Sequence, residues 1–283
     1  MWKKKLCLSL SSVCGVPFGE QLALYKKTGF DGFFVTWNPT LDVQALATKA
    51  KELDMVFQSI HAPWDKAANF WHGDEAKGQK AIDELKACID ACALCGVPIL
   101  VVHAFIGFEE HNPTEIGLVR FTRVVDYASQ KGIKIAFENT EGEEYLAAVM
   151  AHFAGNDTVG FCWDSGHEMC YNHSQDLLAL YGDRLLCTHL NDNLGIQDFD
   201  GKITFIDDLH LLPFDGIADW KYNVQRLSRC NFREILTFEL NIRSKPGRHE
   251  NDIYTQMPYE QYVTEAYKRA CRIAAMLIAE EEN

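Results

Sequence analysis

The feature that most constrains this chain is a repeat of pattern rather than of residues. Eight short apolar runs, at 5–10, 30–37, 55–60, 99–102, 133–137, 159–163, 185–188 and 234–238, each lead through a polar tip into a stretch with helical spacing. Those helices are expected at 19–28, 42–53, 78–95, 115–130, 144–153, 174–183, 218–230 and 259–280. Strands that alternate with helices build a parallel sheet, because each crossover returns the chain to the same end of the next strand. Eight such units in 283 residues, with no linker, low-complexity tract or composition break, predict an α/β protein. The architecture expected is a (β/α)₈ TIM barrel, with 1–283 as a single domain. The rival is an open doubly wound sheet. Its dinucleotide form needs a glycine-rich turn after the first strand, and Ser11-Ser12-Val13-Cys14-Gly15 is not one.

Charge then narrows the partners. A formal net charge of −13 disfavours nucleic acid or an anionic membrane as the main partner. The 47% hydrophobic and 24% charged residues are those of an ordinary globular protein, and no stretch is long and apolar enough to span a membrane. Ten cysteines, mostly inside apolar runs (Cys7, Cys162, Cys187) or on a helix face, suit reduced thiols in a cytoplasm. The opening MWKKKLCLSLSSVCG imitates a signal peptide. Its apolar run is short, is broken by Ser9, Ser11 and Ser12, and lacks a small-residue cleavage pattern, so it reads as the first strand.

The strand tips carry the chemistry. Runs three to eight end in order on His61, His103, Glu138, Asp164, His189 and Glu239, and a barrel brings all six to one face. Runs six and seven carry a second metal-competent residue just beyond, His167 and Asp192. Carboxylates and imidazoles aimed at one cavity repel and desolvate one another unless a cation joins them. Glu138, Asp164, His189 and Glu239 make an oxygen-rich donor set with one nitrogen, suited to Mn²⁺, Co²⁺, Mg²⁺ or Zn²⁺.

With FENTEG (137–142), WDSGH (163–167), THLNDN (188–193), DLHLLPFDGIADW (208–220) and FELN (238–241), the chain resembles the xylose isomerase-like TIM-barrel superfamily over essentially its whole length. That superfamily includes sugar isomerases, ketose 3-epimerases, inosose-processing enzymes and class II apurinic endonucleases. The resemblance implies one divalent metal held by Glu138, Asp164, His189 and Glu239. Glu138 and Glu239 would also be the acid–base pair, and His167 would hold a substrate oxygen. The substrate side is expected to include His61, His103 and Trp64. The implied activity is isomerisation or epimerisation of a sugar, polyol or sugar derivative, by proton abstraction beside a metal-bound carbonyl and hydroxyl.

The endonuclease branch implies a wider set. His61, His103, Glu138, Asp164, His167, His189, Asp208, His210 and Glu239 match the residue types of a trinuclear zinc site. Four carboxylates with three divalent ions leave about two positive charges, which suit a phosphate; three carboxylates with one ion leave about one negative charge, which suits a neutral polyol or ketose. The loop face is expected to be acidic, through Asp65, Asp74, Glu75, Glu109, Glu110, Glu141, Glu143, Glu144, Glu168, Asp198, Asp200 and Asp207, and that speaks against DNA. A barrel that binds metal and ligand without turnover is the remaining alternative, and a homo-oligomer is compatible with any of the three. Ketose 3-epimerases carry an arginine shortly after the strand-seven histidine, where this chain has Asn191-Asp192-Asn193.

Weaker signals frame the site. Arg243, Lys245, Arg248 and His249 form a basic loop after strand eight, where barrels often hold phosphate. Trp37, Trp64, Phe70, Trp71, Phe105 and Phe108 are placed to stack on a sugar, form a lid, or pack under long loops. Cys88, Cys92 and Cys95 share a helix face with Leu85 and Ile89 and read as core, whereas His72, His111, His152, His173 and His249 read as surface.

Overall fold

Alternation along a strand decides which side chains face a barrel axis and which face the helices around it. The computed structural model describes residues 4–108, 112–196, 202–230 and 232–282. Its strands are β1 (Leu6–Ser9), β2 (Gly32–Thr36), β3 (Val56–His61), β4 (Ile99–His103), β5 (Lys134–Glu138), β6 (Val159–Asp164), β7 (Leu185–His189) and β8 (Leu236–Phe238). All neighbours pair in parallel in the order β7-β6-β5-β4-β3-β2-β1-β8. The last seam, between β7 and β8, is closed by single contacts. Leu190 N–H donates to Thr237 O (2.8 Å), and Thr237 N–H donates to the Thr188 hydroxyl (3.1 Å). The result is a nearly closed single-domain (β/α)₈ barrel, as the alternation of runs predicts.

Val101, Ala136, Cys162 and Cys187 point inward from four adjacent strands and pack on one another. Their neighbours Leu100, Val102, Ile135, Phe137, Phe161 and Trp163 point outward into the large core shared with the helices. Those helices are α1 (Phe18–Thr28), α2 (Val43–Glu52), α3 (Glu75–Cys95), α4 (Glu115–Lys131), α5 (Glu143–His152), α6 (Ser165–Cys170), α7 (Leu177–Tyr181), α8 (Trp220–Arg229), α9 (Asp252–Thr255) and α10 (Tyr259–Glu281). Most begin at a side-chain cap: Asp42, Asp74, Thr114, Asp164, Asp176 and Asp219 each accept a backbone N–H of the first turn.

Two helices differ from expectation, each for a local reason. Helix α3 starts three residues before Gly78, because Asp74 caps it. Gly78 therefore falls inside the helix, where its missing side chain makes room for Arg120: a Cβ there would sit 2.2 Å from the guanidinium carbon. Arg120 in turn donates to the carbonyls of Asn69, Phe70 and His72 (2.9, 3.0 and 2.6 Å) and so pins the loop after β3. The helix expected at 174–183 is shorter, at α7, and a separate helix, α6, comes before it. Asp164 caps α6 by accepting His167 N–H at 2.7 Å, so the chain turns helical at the strand tip itself. All ten cysteines are free thiols, and Cys88 and Cys92 are fully buried in the core. Among the described residues no helix is long and apolar enough to cross a membrane.

Candidate functional site

One pleat beyond the apolar inward layer, the same four strands change chemistry. Val101, Ala136, Cys162 and Cys187 are each followed two residues later by His103, Glu138, Asp164 and His189, so these point into the same interior. His61 continues the series from Ser59 on β3, and Glu239 from Thr237 on β8. The cluster is tight: Glu138, Asp164, His189 and Glu239 offer donor atoms that all lie within 4.8 Å of one another. His189 Nδ1 stands 2.8 Å from Glu138 Oε1 and 3.0 Å from Glu239 Oε2. His61 Nε2 and His103 Nε2 approach the other Glu138 oxygen at 2.9 and 3.2 Å. Phe34, inward on β2, stacks flat on the His189 ring at 4.5 Å and fixes its plane.

The ring nitrogens show what such a cluster can hold. A backbone carbonyl only accepts, so Nδ1 of His61, 2.7 Å from Ala62 O, carries a proton, as do Nδ1 of His167 (Asn139 O, 2.9 Å) and of His210 (Glu239 O, 3.2 Å). In each neutral ring Nε2 is then a bare acceptor, and each Nε2 faces a carboxylate: Glu138 for His61, Asp208 for His167 (3.3 Å) and Asp208 for His210 (2.8 Å). Acceptor facing acceptor is stable only with a proton or a cation between them. A histidine oriented by its carbonyl-bound Nδ1, with Nε2 aimed at a shared point, is the arrangement that holds metal ligands. Asp208 Oδ1 supports the same conclusion, having no hydrogen bond of good geometry among the described residues despite its two close imidazoles.

Protonation in the metal-free protein follows. Burial pushes the Glu138 carboxyl up, but His189, His103 and His61 outweigh it and hold it well below the usual carboxylate range. Burial likewise opposes the charge on His189, yet Glu138 and Glu239 raise that imidazole well above its ordinary value. Asp164 is pushed up to about 6 by burial, which the charges of His167 and His210 only partly offset. Glu239, against its own burial, is lowered to about 2 by His189 and His210. His210 is raised to about 9, as Asp208 and Glu239 overcome burial, whereas burial lowers His103. Imidazolium ions thus supply the positive charge that the carboxylates require.

A cavity of about 430 Å³ opens above the cluster. Glu239 reaches it, with its side chain 24% exposed, while Glu138 is fully buried beneath. His61, His103 and His167 also reach it. Trp64, 42% exposed, lies over the rings of His61 (5.5 Å) and His103 (5.7 Å). The far wall is loop-borne: Asp208, His210, Phe205 and Lys245, whose ammonium bonds Asp208 Oδ2 at 3.2 Å.

All nine residues of the wider donor set are therefore brought together, but Asp192 is not among them. Its carboxylate accepts from the backbone N–H groups of Asn193, Phe214 and Ala218 and from Trp220 Nε1, tying down the loop before α8. Those bonds saturate its lone pairs, which corrects its reading as metal-competent. Its neighbours are structural too. Asn191 donates to Asp164 Oδ2 at 2.8 Å, an approach that Gly166 permits, since a Cβ there would lie 1.9 Å from Asn191 Oδ1. Asn193 holds Asp207 O at 2.9 Å.

Of the aromatic residues, Phe70, Trp71 and Phe105 are buried under the loops, and Trp64 and Phe108 line the cavity. Glu168 is not on the open face: it is buried in a 2.6 Å ion pair with Arg226. His72, His152, His173 and His249 are exposed as expected. Glu109, Glu110, His111, Asp198 and Asp200 lie outside the described residues. Of the basic loop only Lys245 lines the cavity among the described residues; Arg248 pairs with Glu250 at 2.7 Å and His249 with Asp252 at 2.8 Å. Sequence reasoning missed Phe34, Asn139 and Tyr171. Strand parity would have found Phe34, whereas Asn139, which bonds both the N–H and the C=O of Asp164, left no signal.

Residues 22–275 match the profile of the xylose isomerase-like TIM barrel family. The "Uncharacterized protein y4fM" of Sinorhizobium fredii (strain NBRC 101917 / NGR234) is 33% identical over 260 residues, 78% of this chain and 80% of its own. "Probable endonuclease 4" of Cenarchaeum symbiosum (strain A) is 23% identical over 163 residues, 54% and 52% of the two chains. Among solved structures, the IOLI protein with a binding zinc atom superposes with a TM-score of 0.76 at 20% identity, covering 96% of this chain and 98% of that one. L-ribulose 3-epimerase superposes at 0.73 and 14% identity, over 99% and 96%. At such identities the superpositions establish the fold, and the profile match establishes the kinship. The chain belongs to the xylose isomerase-like TIM barrel family.

Proposed function

We propose that this protein is a divalent-metal-dependent isomerase or epimerase of a sugar, polyol or sugar derivative, acting in the cytoplasm. The observation that carries the reading is the Glu138–Asp164–His189–Glu239 cluster, with donor atoms within 4.8 Å of one another, opening onto a cavity through Glu239. The family's sugar epimerase members and the zinc-carrying IOLI protein support it. The ten free thiols support a reducing compartment.

A divalent ion held by Glu138, Asp164, His189 and Glu239 would supply Lewis acidity to a substrate carbonyl and its adjacent hydroxyl, and so acidify the hydrogen on the hydroxyl-bearing carbon. Glu239, the carboxylate that reaches the cavity, takes that proton as the C–H bond breaks. Glu138, once it has taken up a proton from solvent, gives it either to the opposite face of the same carbon, which is epimerisation, or to the neighbouring carbon, which is isomerisation. In isomerisation the hydroxyl proton also passes to the former carbonyl oxygen. In both cases Glu239 then releases its proton to solvent. His167 steadies a substrate oxygen through Nε2, and Trp64 covers the ring and sheds water. The hydroxyl donors of a sugar ring meet acceptors on a wall that carries the carboxylates of Glu141 and Asp208, by which a phosphodiester would be repelled.

Metal analysis of purified protein and solvent-deuterium incorporation into a panel of ketoses and inososes form the test. Bound divalent metal with deuterium at carbon, lost in Glu239→Gln, supports the reading; metal without exchange across the panel would falsify it in favour of a binding barrel. A second reading, a trinuclear zinc phosphodiesterase, is favoured by the trio His167, Asp208 and His210, whose facing atoms lie 2.8 and 3.3 Å apart, and by the endonuclease 4 relative. Three zinc equivalents with cleavage of abasic DNA would establish it in place of the first.

A further inference from the structure

Beside the cavity over the cluster lies a second, of about 330 Å³, and the two share Phe108, Glu141 and Tyr171. These residues form a waist. The Phe108 and Tyr171 rings stand 5.7 Å apart, and Tyr171 also packs on the His167 ring at 5.1 Å, so one aromatic borders both spaces. Glu141 is anchored there by accepting Gly107 N–H at 3.0 Å. The Tyr171 hydroxyl has no hydrogen-bond partner among the described residues. Nothing in the proposed proton transfer uses the second space, whose other lining includes Glu143, His173 and Lys202.

We propose that the side cavity is a second sugar-binding subsite, and that the substrate is a neutral glycoside of two linked rings rather than a free monosaccharide. The proposal rests on the sugar reading above and names the substrate class for it. Each cavity is near the lower end of the volumes that bury a small ligand, so the adjoining pair, with three lining residues in common, suits two linked units better than one. The waist fits a glycosidic bond, with aromatic rings to meet the apolar C–H faces of a sugar on either side. The lining polar groups are mostly acceptors, from Glu141 and Glu143, joined by the donors of Lys202 and His173. Such a set hydrogen-bonds the hydroxyls of a neutral ring, whereas an acidic second unit would meet the carboxylates.

The test measures binding and turnover separately, on full-length manganese-loaded protein. Affinities of maltulose, isomaltulose and leucrose (glucosyl-fructoses) and of cellobiose are compared with those of D-fructose and D-glucose by calorimetry. At least one two-ring ligand is expected to bind tenfold or more tightly than its single-ring parent. That ratio should fall fivefold or more in Tyr171→Phe, His173→Ala or Lys202→Met. If every two-ring ligand binds no better than its parent, or the advantage survives all three substitutions, the subsite is overturned. Deuterium exchange on the same panel reads the chemistry independently. A two-ring advantage that the substitutions remove, without exchange in any ligand, upholds the subsite and defeats the isomerase reading instead.

Discussion

The donor set divides into a strand-borne half and a loop-borne half, and they are built differently. His61, His103, Glu138, Asp164 and His189 continue the inward face of consecutive paired strands, so backbone hydrogen bonds fix their spacing. His167 sits on α6 and Asp208 and His210 on a loop, positioned by side-chain contacts such as the 3.2 Å Lys245–Asp208 pair. The strand half is a framework that tolerates charge because its partners cannot move apart. The loop half rests on side-chain contacts and is the more adjustable of the two.

Substitutions that separate the halves have the largest expected effects. Glu239→Gln, which keeps shape, removes the base and leaves a neutral amide oxygen in place of one carboxylate ligand, is expected to lower deuterium exchange by roughly 10²–10⁴-fold at saturating metal, read by exchange rate and metal content together. His189→Ala is next: removing the strand-borne nitrogen should strip the tightly held ion, whereas His210→Ala should leave one equivalent in place. Elemental analysis of the two proteins after dialysis checks this, and equal losses would erase the distinction between the halves.

A smaller effect is expected from proton competition. Asp164 sits at about 6 because burial raises it, so below that pH a proton holds its carboxylate in the metal-free protein. His189 and His167 are raised well above their ordinary value, and His210 to about 9, so at pH 7 these rings carry protons that an incoming ion must displace. Metal affinity should therefore rise with pH from 5 to 9, with protons released on binding. Calorimetry in buffers of different ionisation enthalpy measures the release, and a heat independent of buffer would contradict it. The smallest change expected is in stability. Gly166→Ala pushes on Asn191 and loosens its bond to Asp164, costing about 1–3 kcal/mol, or roughly 2–4 °C in Tm for each kcal/mol. Thermal unfolding reads it, and an unshifted Tm would mean that Asn191 moves away freely.

The barrel and the strand half of the site were legible in the sequence, because both follow from a period of two. An apolar run that must bury one face toward helices and the other toward the axis declares its own geometry, and its tip residue inherits the inward direction. His103, Glu138, Asp164 and His189 could be grouped from spacing once the strands were recognised. Other features depend on neighbours distant in the chain. Asp192 reads as a metal ligand beside His189 until the loop at 214–220 folds over and takes its lone pairs. The helix expected at 174–183 shortens to α7, with α6 a separate helix before it, because Asp164 and Asp176 cap separate turns. The boundary that the two cavities share depends on Tyr171 and Phe108, 63 positions apart, whose rings stand 5.7 Å apart with Tyr171 packed on His167. Local pattern determined the fold and the direction of the strand-tip donors, since backbone periodicity is a property of the nearby chain. Tertiary packing alone decided which polar atoms were left over for a ligand, because a lone pair is free only after every other contact has been made.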